Sequence, residues 1–133
     1  MSAALNCNIS FIGGGNMAQA LIGGLISRGL PTTRITVSDP VEQVRALLAE
    51  KEINVTDDNS AAIQDADIVV FAVKPQVLAQ VLQPLKGLVN DKLIISIVAG
   101  AEIATLASLL GTARIVRVMP NTPALVQTGA HGL

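Results

Sequence analysis

Short apolar runs alternate along the chain with segments in which apolar residues recur every three or four positions. The apolar runs predict strands at residues 9–12, 35–38, 54–56, 68–72, 93–98 and 114–118. The periodic segments predict helices at 16–28, from 40 through 48, near 60–63, from 75 through 85, and at 102–110. This alternation indicates βαβ units, and strands that are apolar throughout are typical of a sheet covered by helices on both faces. We therefore expect an α/β domain with a doubly wound, mostly parallel sheet in the strand order 3-2-1-4-5-6.

The helical periods also predict which side chains face the sheet. The expected inward positions are Met17, Ala18, Leu21, Ile22, Leu25 and Ile26 in the first helix, Val41, Val44, Leu47 and Leu48 in the second, and Val77, Leu78, Val81, Leu82 and Leu85 in the helix after Pro75. Pro84 is expected to bend that last helix or to be tolerated within it. At the start of the second helix, Asp39, Pro40 and Glu42 fit an N-cap, a first helical residue and a capping-box acid.

A glycine-rich motif follows the first strand and opens the first helix. It reads Gly13-Gly14-Gly15-Asn16-Met17-Ala18 and fits the pattern G-x-G-x-x-A. In a βαβ unit this pattern is typical of a Rossmann-type dinucleotide-binding domain. Gly13 would permit a tight turn, Gly15 would let a pyrophosphate approach the backbone, and Ala18 would let the helix pack closely on the sheet. The free N–H groups at the start of the helix would bind the phosphates.

The end of the second strand bears on the choice of cofactor. Asp39 lies where the fingerprint expects an acid that accepts a hydrogen bond from the adenosine ribose, which would favour NAD. The same residue is equally well explained as a helix cap. An arginine directly after the strand would favour the 2′-phosphate of NADP, and the nearest one, Arg45, belongs to the next helix. Ser38 provides a hydroxyl for either cofactor.

Two further segments end strands at the edge where this fold binds ligands. Lys74 follows the fourth strand, where it either faces the ribose and phosphate anions or is simply solvated. Ala99 and Gly100 follow the fifth strand, and their small size suits either a flat ring lying close to the backbone or an ordinary turn.

Composition limits the possible partners. Nine basic and ten acidic residues leave a net charge of −1, and the aromatic residues are limited to two phenylalanines. A protein with neither a basic surface nor aromatic stacking platforms is not expected to bind nucleic acid. Only 14% of residues are charged and the mean hydropathy is +0.55, against about 25% charged in typical soluble domains. We therefore expect another domain or subunit to cover part of this surface.

The 133 residues suffice for one domain, so we expect residues 1–133 to form a single dinucleotide-binding domain. No basic residue precedes Arg28, and the longest apolar run is far shorter than the roughly 20 residues of a membrane span. A lone cysteine, Cys7, fits a reducing compartment. The expectation is a soluble cytoplasmic protein with no metal site and no membrane contact.

Taken together, several segments resemble pyrroline-5-carboxylate reductase, the enzyme of the last step of proline biosynthesis. They are residues 11–17 (FIGGGNM), 72–76 (AVKPQ), 96–100 (SIVAG), 117–123 (RVMPNTP) and 130–133 (AHGL). The resemblance implies NAD(P)H-dependent reduction of 1-pyrroline-5-carboxylate to L-proline, with NADP as the first candidate cofactor and NAD as the alternative. It also implies cofactor contacts from Gly13, Gly14, Gly15, Asn16, Met17, Ala18, Ser38, Asn59, Ala72, Val73, Lys74, Pro75, Ile97, Val98 and Ala99.

Members of that family continue into a helical domain that forms the dimer and supplies most of the substrate pocket. That domain is not part of these 133 residues, so the resemblance implies a homo-oligomer formed through it and a chain that binds cofactor without catalysing alone. Asn121 is the residue expected to face the substrate. No residue is a persuasive proton donor: His131, the single histidine, is expected to be a bystander, and the catalytic residue stays unassigned. The alternatives are another imine or β-hydroxyacid-type oxidoreductase and a non-catalytic nucleotide-sensing module.

Overall fold

A computed structural model describes residues 7–89, 91–98, 103–111 and 114–117. The strands are β1 Ile9–Ile12, β2 Ile35–Ser38, β3 Asn54–Thr56, β4 Ile68–Phe71, β5 Leu93–Ser96 and β6 Ile115–Arg117. The α-helices are α1 Asn16–Ser27, α2 Glu42–Ala49, α3 Asn59–Ile63, α4 Leu78–Leu82 and α5 Ile103–Leu110. Short 3-10 helices precede β2 at Thr32–Arg34 and flank α4 at Pro75–Val77 and Gln83–Leu85.

The six described strands form one parallel sheet in the order β3-β2-β1-β4-β5-β6. The predicted fold class and strand order are therefore confirmed. β1 lies at the centre, with Ile12 paired to Ser38 of β2 on one side and to Phe71 of β4 on the other. Connections leave β1 toward β2 and return to β4, so the chain changes direction at the β1–β4 boundary. Open α/β sheets bind their ligands at such a point, outside the carboxyl ends of the strands.

Two apolar clusters lie on opposite faces of the sheet. On one face α1 and α2 pack over Phe11, Val37 and Val70, with Ala18 and Leu48 almost fully buried. On the other face α3, α4 and α5 cover a second cluster, whose largest buried side chains include Ile12, Phe71, Leu82, Ile94 and Leu106. Because both faces are covered, the central strands are buried on both sides, which explains why they are mostly apolar. The polar residue of β1, Ser10, is also buried and donates its hydroxyl to the Ala62 carbonyl.

The helices bury a narrower stripe than their apolar pattern predicts. Met17 and Leu21 on α1 are 43% and 38% exposed, so within α1 the buried contacts are made by the neighbouring stripe of Ala18 and Ile22. Three further predicted inward residues are exposed, namely Val41, Leu47 and Val77. The period identified each helix correctly but overestimated its buried face, because only the side chains on the side nearest the sheet are covered.

The start of α2 also differs from the prediction. The helix begins at Glu42 with Val41 as its N-cap, so Asp39 is not the cap and Pro40 is not helical. The Asp39 carboxylate instead accepts a hydrogen bond from the Val41 N–H at 2.8 Å, which forms an Asx turn, and α2 begins after this turn.

Other boundaries moved by smaller amounts. The helix after Pro75 is split, with its α-helical part at Leu78–Leu82 and a 3-10 turn around Pro84, as the proline predicts. β4 ends at Phe71, one residue before its predicted end, and β5 ends at Ser96, two residues before its predicted end. Within the described ranges, no helix has the length and apolar character needed to cross a membrane.

Candidate functional site

The predicted cofactor residues gather at the carboxyl edge of the sheet. Beyond the strand ends, backbone hydrogen bonds continue the ladder: Gly13 N–H donates to Ser38 O at 2.8 Å, Ala72 N–H to Ile12 O at 2.9 Å, and Ile97 N–H to Phe71 O at 3.1 Å. These bonds fix the first residue after each of β1, β4 and β5. The loops that form the crevice are therefore held by the sheet itself.

Gly13 makes the turn after β1 and can hardly be anything but glycine. Its φ is +104°, a conformation that side chains with a Cβ rarely adopt. A Cβ added there would lie 2.7 Å from the carbonyl oxygen of Ala72, which belongs to the backbone of the neighbouring strand end. The tight turn predicted at Gly13 is present, and it brings the β1 and β4 backbones into direct contact.

Gly14 has a role that the motif did not predict. It is buried, and a Cβ there would lie 2.9 Å from Cγ1 of Val44 and 3.1 Å from Cδ1 of Leu48, both on α2. Its N–H donates to Oδ2 of Asp39 at 2.8 Å, and its carbonyl accepts from Nε2 of Gln19 at 2.8 Å. The middle glycine therefore lets α2 pack directly over the turn.

Gly15 is the N-cap of α1 and faces open space, with no heavy atom within 4 Å of an added Cβ. No side chain caps this helix, so its first N–H groups remain available, together with the positive end of the helix dipole. Asn16 and Met17 are exposed beside it, whereas Ala18 is buried against the sheet. An open backbone, free N–H groups and a glycine that leaves space form the cradle that a pyrophosphate requires, so this turn fits a dinucleotide.

Asp39 lies between the two βα loops, 9% exposed. One carboxylate oxygen accepts from Gly14 N–H and the other from Val41 N–H, each at 2.8 Å. The side chain thus connects the loop after β2 to the glycine turn. A hydrogen bond from a ribose hydroxyl would have to use the remaining lone pairs of oxygens that already have partners.

Ser38 and Asn59, which the resemblance assigned to the adenosine end, are in contact. The Ser38 hydroxyl donates to Oδ1 of Asn59, although the two residues are 21 apart in sequence. Asn59 is the first residue of α3, whose N-cap Asp58 accepts from the N–H groups of Ser60 and Ala61. The pair joins the ends of β2 and β3 at the outer part of the crevice.

Sequence reasoning missed two polar side chains at this edge. Gln19, one turn into α1, bonds back to the glycine turn, as described above. Arg45 belongs to α2 and does not directly follow β2, so the sequence pattern gives it no place at the site, yet its Nη1 donates to the carbonyl of Asp39 at 2.8 Å. The available signal was spacing. Val41 is the N-cap of α2, close to the end of β2, and Arg45, four residues later, lies on the same side of the helix.

The β4 and β5 side of the crevice is less polar. Ala72 and Val73 are half-buried, Lys74 and Pro75 are exposed at the start of the 3-10 turn, and Ile97 and Val98 are buried. Val98 N–H donates to the hydroxyl of Ser96 at 3.3 Å. The arrangement provides an apolar wall with the exposed cation of Lys74 at its rim.

The remaining predicted positions, Ala99, Gly100, Asn121 and His131, lie outside the described residues. In the ranges that the structure describes, no group of three or more His, Cys, Asp or Glu residues could hold a metal ion. The described chemistry of the site is therefore that of an open backbone turn that fits a phosphate, flanked by the polar Ser38–Asn59 pair and an apolar wall.

Known proteins resemble this chain closely. A pyrroline-5-carboxylate reductase of Pasteurella multocida is 50% identical over 132 residues, which is 95% of this chain and 48% of the relative. A solved structure of a Coxiella burnetii pyrroline-5-carboxylate reductase has a TM-score of 0.83 and 39% identity, covering 91% of this chain and 46% of that one. A Plasmodium falciparum pyrroline carboxylate reductase solved with NADP bound has a TM-score of 0.75 and 31% identity, covering 91% of this chain and 45% of that one.

The chain spans about half the length of the curated relatives it matches. The resemblance noted from the sequence motifs is confirmed by these relatives. The profile of a family described as NADP oxidoreductase, coenzyme F420-dependent, matches residues 8–100, well over half of the chain and all of the site from β1 to the end of β5. This chain therefore belongs to that family of NADP oxidoreductases.

Proposed function

We propose that this chain is the cofactor-binding part of an enzyme that reduces 1-pyrroline-5-carboxylate to L-proline with NADPH, or with NADH as the alternative. The single observation that carries the proposal is the glycine turn. In this turn Gly15 faces open space, the N-terminus of α1 has no side-chain cap, and Gly13 lies against the backbone at the end of β4. The chain that carries the turn is 50% identical over 132 residues to a pyrroline-5-carboxylate reductase.

Each part of the crevice has a separate task in this proposal. The glycine turn and the start of α1 bind the pyrophosphate, and the Ser38–Asn59 pair binds the adenosine ribose. The segments 72–75 and 97–99 flank the nicotinamide, where the apolar wall excludes water from one side of the ring. The reduced nicotinamide supplies the hydride when bound. The chain's own residues contribute orientation and water exclusion rather than a proton.

Catalysis requires more than this half of the crevice. The substrate carboxylate needs fixed donors, and Asn121 is the residue we propose on this side. We propose that a helical domain following these residues supplies the opposite wall and joins two copies into a homo-oligomer. Exposed apolar residues such as Met17, Leu47 and Leu88 agree with a surface that is covered in the complete protein. We also propose that the protein is cytoplasmic, which the single cysteine, Cys7, fits.

The proposal is tested by turnover. The full-length gene product is assayed with 1-pyrroline-5-carboxylate, following the oxidation of NADPH and NADH by the loss of the absorbance of the reduced nicotinamide, and the 133-residue chain is assayed beside it. We expect turnover by the full-length protein, and cofactor binding without turnover by the 133 residues alone. Binding without turnover of this substrate by the full-length protein would favour another imine or β-hydroxyacid substrate, or a nucleotide sensor, and would overturn the proposed reaction. The absence of nucleotide binding would overturn the cofactor assignment itself.

A further inference from the structure

Resting on the proposed cofactor site, we infer that Arg45 binds the 2′-phosphate of NADPH and is the residue that selects NADPH over NADH. In a Rossmann-type fold the adenosine ribose lies beside the residues that follow β2. An arginine placed there recognises the 2′-phosphate, whereas a free carboxylate recognises the 2′-hydroxyl. The question is which of these two groups the chain presents at the end of β2.

The carboxylate is turned away from that position. Both oxygens of Asp39 accept backbone N–H groups, from Gly14 and Val41, and the residue is 9% exposed. These bonds direct the side chain toward the glycine turn and the start of α2. Asp39 therefore serves as a link between two loops, and its charge is partly compensated by the two donors it binds.

The arginine is held at the same strand end. Nη1 of Arg45 donates to the carbonyl of Asp39 at 2.8 Å, so a side chain from the first turns of α2 reaches the end of β2. A guanidinium has five N–H donors, and within the described ranges this is the one hydrogen bond that the Arg45 side chain makes, with no carboxylate as an ion-pair partner. The tether to Asp39 orders the side chain while leaving donors for an anion, and a guanidinium binds phosphate through paired N–H groups.

The neighbouring pair supplies further donors of the same kind. Because the Ser38 hydroxyl donates to Oδ1 of Asn59, the amide nitrogen of Asn59 is left with two N–H donors that have no partner among the described residues. Asp58, the carboxylate next to this pair, is occupied as the cap of α3. The outer crevice thus offers a tethered cation and free amide N–H groups, a donor set that fits a phosphate.

Calorimetric titration of the full-length protein with NADPH and NADH tests the inference, using wild type, Arg45→Ala and Arg45→Lys. Arg45→Ala should weaken NADPH binding about 10-fold to 100-fold and change NADH binding by less than about twofold, which is the loss expected for a hydrogen-bonded charge pair. Arg45→Lys should fall between, since an ammonium cannot form the paired contact. Lys51→Ala is the matched control, because it removes an exposed positive charge just beyond α2, away from the crevice.

A second probe isolates the phosphate. Adenosine 2′,5′-bisphosphate and 5′-AMP are titrated as competitors of bound NADPH. Wild type should bind the bisphosphate more tightly than 5′-AMP, and Arg45→Ala should bind the two compounds with equal affinity. The inference is overturned if Arg45→Ala weakens both dinucleotides equally, if it leaves NADPH binding unchanged, or if wild type prefers NADH. If wild type binds neither dinucleotide, the proposed cofactor site itself is wrong. If wild type binds both and Arg45→Ala changes neither affinity, the cofactor site stands and only the role of Arg45 is wrong. Should Arg45→Ala fail to fold by circular dichroism, Arg45→Lys and the competitor pair decide the question.

Discussion

Replacing the first and third glycines of the turn should separate folding from binding. Gly13→Ala introduces a Cβ at φ +104° and 2.7 Å from the Ala72 carbonyl oxygen. The backbone strain costs about 1–2 kcal/mol and the displacement of a packed strand end about 1–3 kcal/mol, so we expect a loss of about 2–5 kcal/mol in the free energy of unfolding. Since small domains are stable by only about 5–15 kcal/mol, this loss is a large fraction of the total.

Gly15→Val should have the opposite effect, with little change in stability and a complete loss of cofactor binding. The residue has φ −73° and ψ −169°, an extended conformation that a β-branched side chain adopts readily, and no atom lies within 4 Å of its added Cβ. As an N-cap, valine is poorer than glycine, and we expect a stability loss of no more than about 1 kcal/mol. NADPH binding should be abolished, because the side chain fills the space that the pyrophosphate needs.

Both variants are compared with wild type by urea denaturation and by NADPH calorimetry. Unfolding is followed by far-ultraviolet circular dichroism, because the chain contains no tryptophan or tyrosine. Gly23→Ala on the exposed part of α1 is the control, and it should raise stability by about 0.5–1 kcal/mol without affecting binding. A Gly13→Ala protein as stable as wild type, or a Gly15→Val protein that binds NADPH normally, would refute the roles assigned to these two glycines.

Two other side chains give predictions of the same kind. Asp39→Ser should lower the free energy of unfolding by about 1–3 kcal/mol and weaken NADPH and NADH binding in parallel, measured by denaturation and calorimetry. A selective gain for NADPH would instead indicate that Asp39 contacts the ribose. Lys92→Met should also cost about 1–3 kcal/mol, because the buried Lys92 Nζ donates to the carbonyls of Ala66, at 2.8 Å, and Gln64, at 3.4 Å. Its NADPH affinity should not change, since Lys92 precedes β5 at the opposite edge of the sheet; a loss of affinity would contradict this placement.

The strand order and the position of the glycine turn could be predicted because they depend on local signals. Apolar runs too short for helices identify strands, and the right-handed connection between parallel strands leaves few possible arrangements. The turn at Gly13 needs a positive φ whatever surrounds it, so its glycine could be interpreted from sequence alone.

The start of α2 could not be predicted in this way. Asp39, Pro40 and Glu42 satisfy the local rule for an N-cap, yet the carboxylate of Asp39 binds the N–H of Gly14, which is 25 residues away. That bond is buried, where the low local dielectric strengthens it relative to an exposed cap. The local rule failed at a residue that the site uses, where the competing partner is visible only in three dimensions.

Gly14 shows how the parts of the crevice that we propose for adenosine and for phosphate are joined into one unit. The fingerprint leaves its position open, but here α2 packs within 3 Å of where its Cβ would be, through Val44. The peptide of Gly14 is bonded on one side to Asp39 and on the other to Gln19. Because Arg45 is tethered to that same Asp39, the group proposed for the 2′-phosphate and the turn proposed for the pyrophosphate are held through a single residue. A substitution at Asp39 removes the side-chain bond to Gly14 but keeps the carbonyl that holds Arg45, so it should weaken NADPH and NADH binding alike, whereas one at Arg45 should disturb only the end that distinguishes NADPH from NADH.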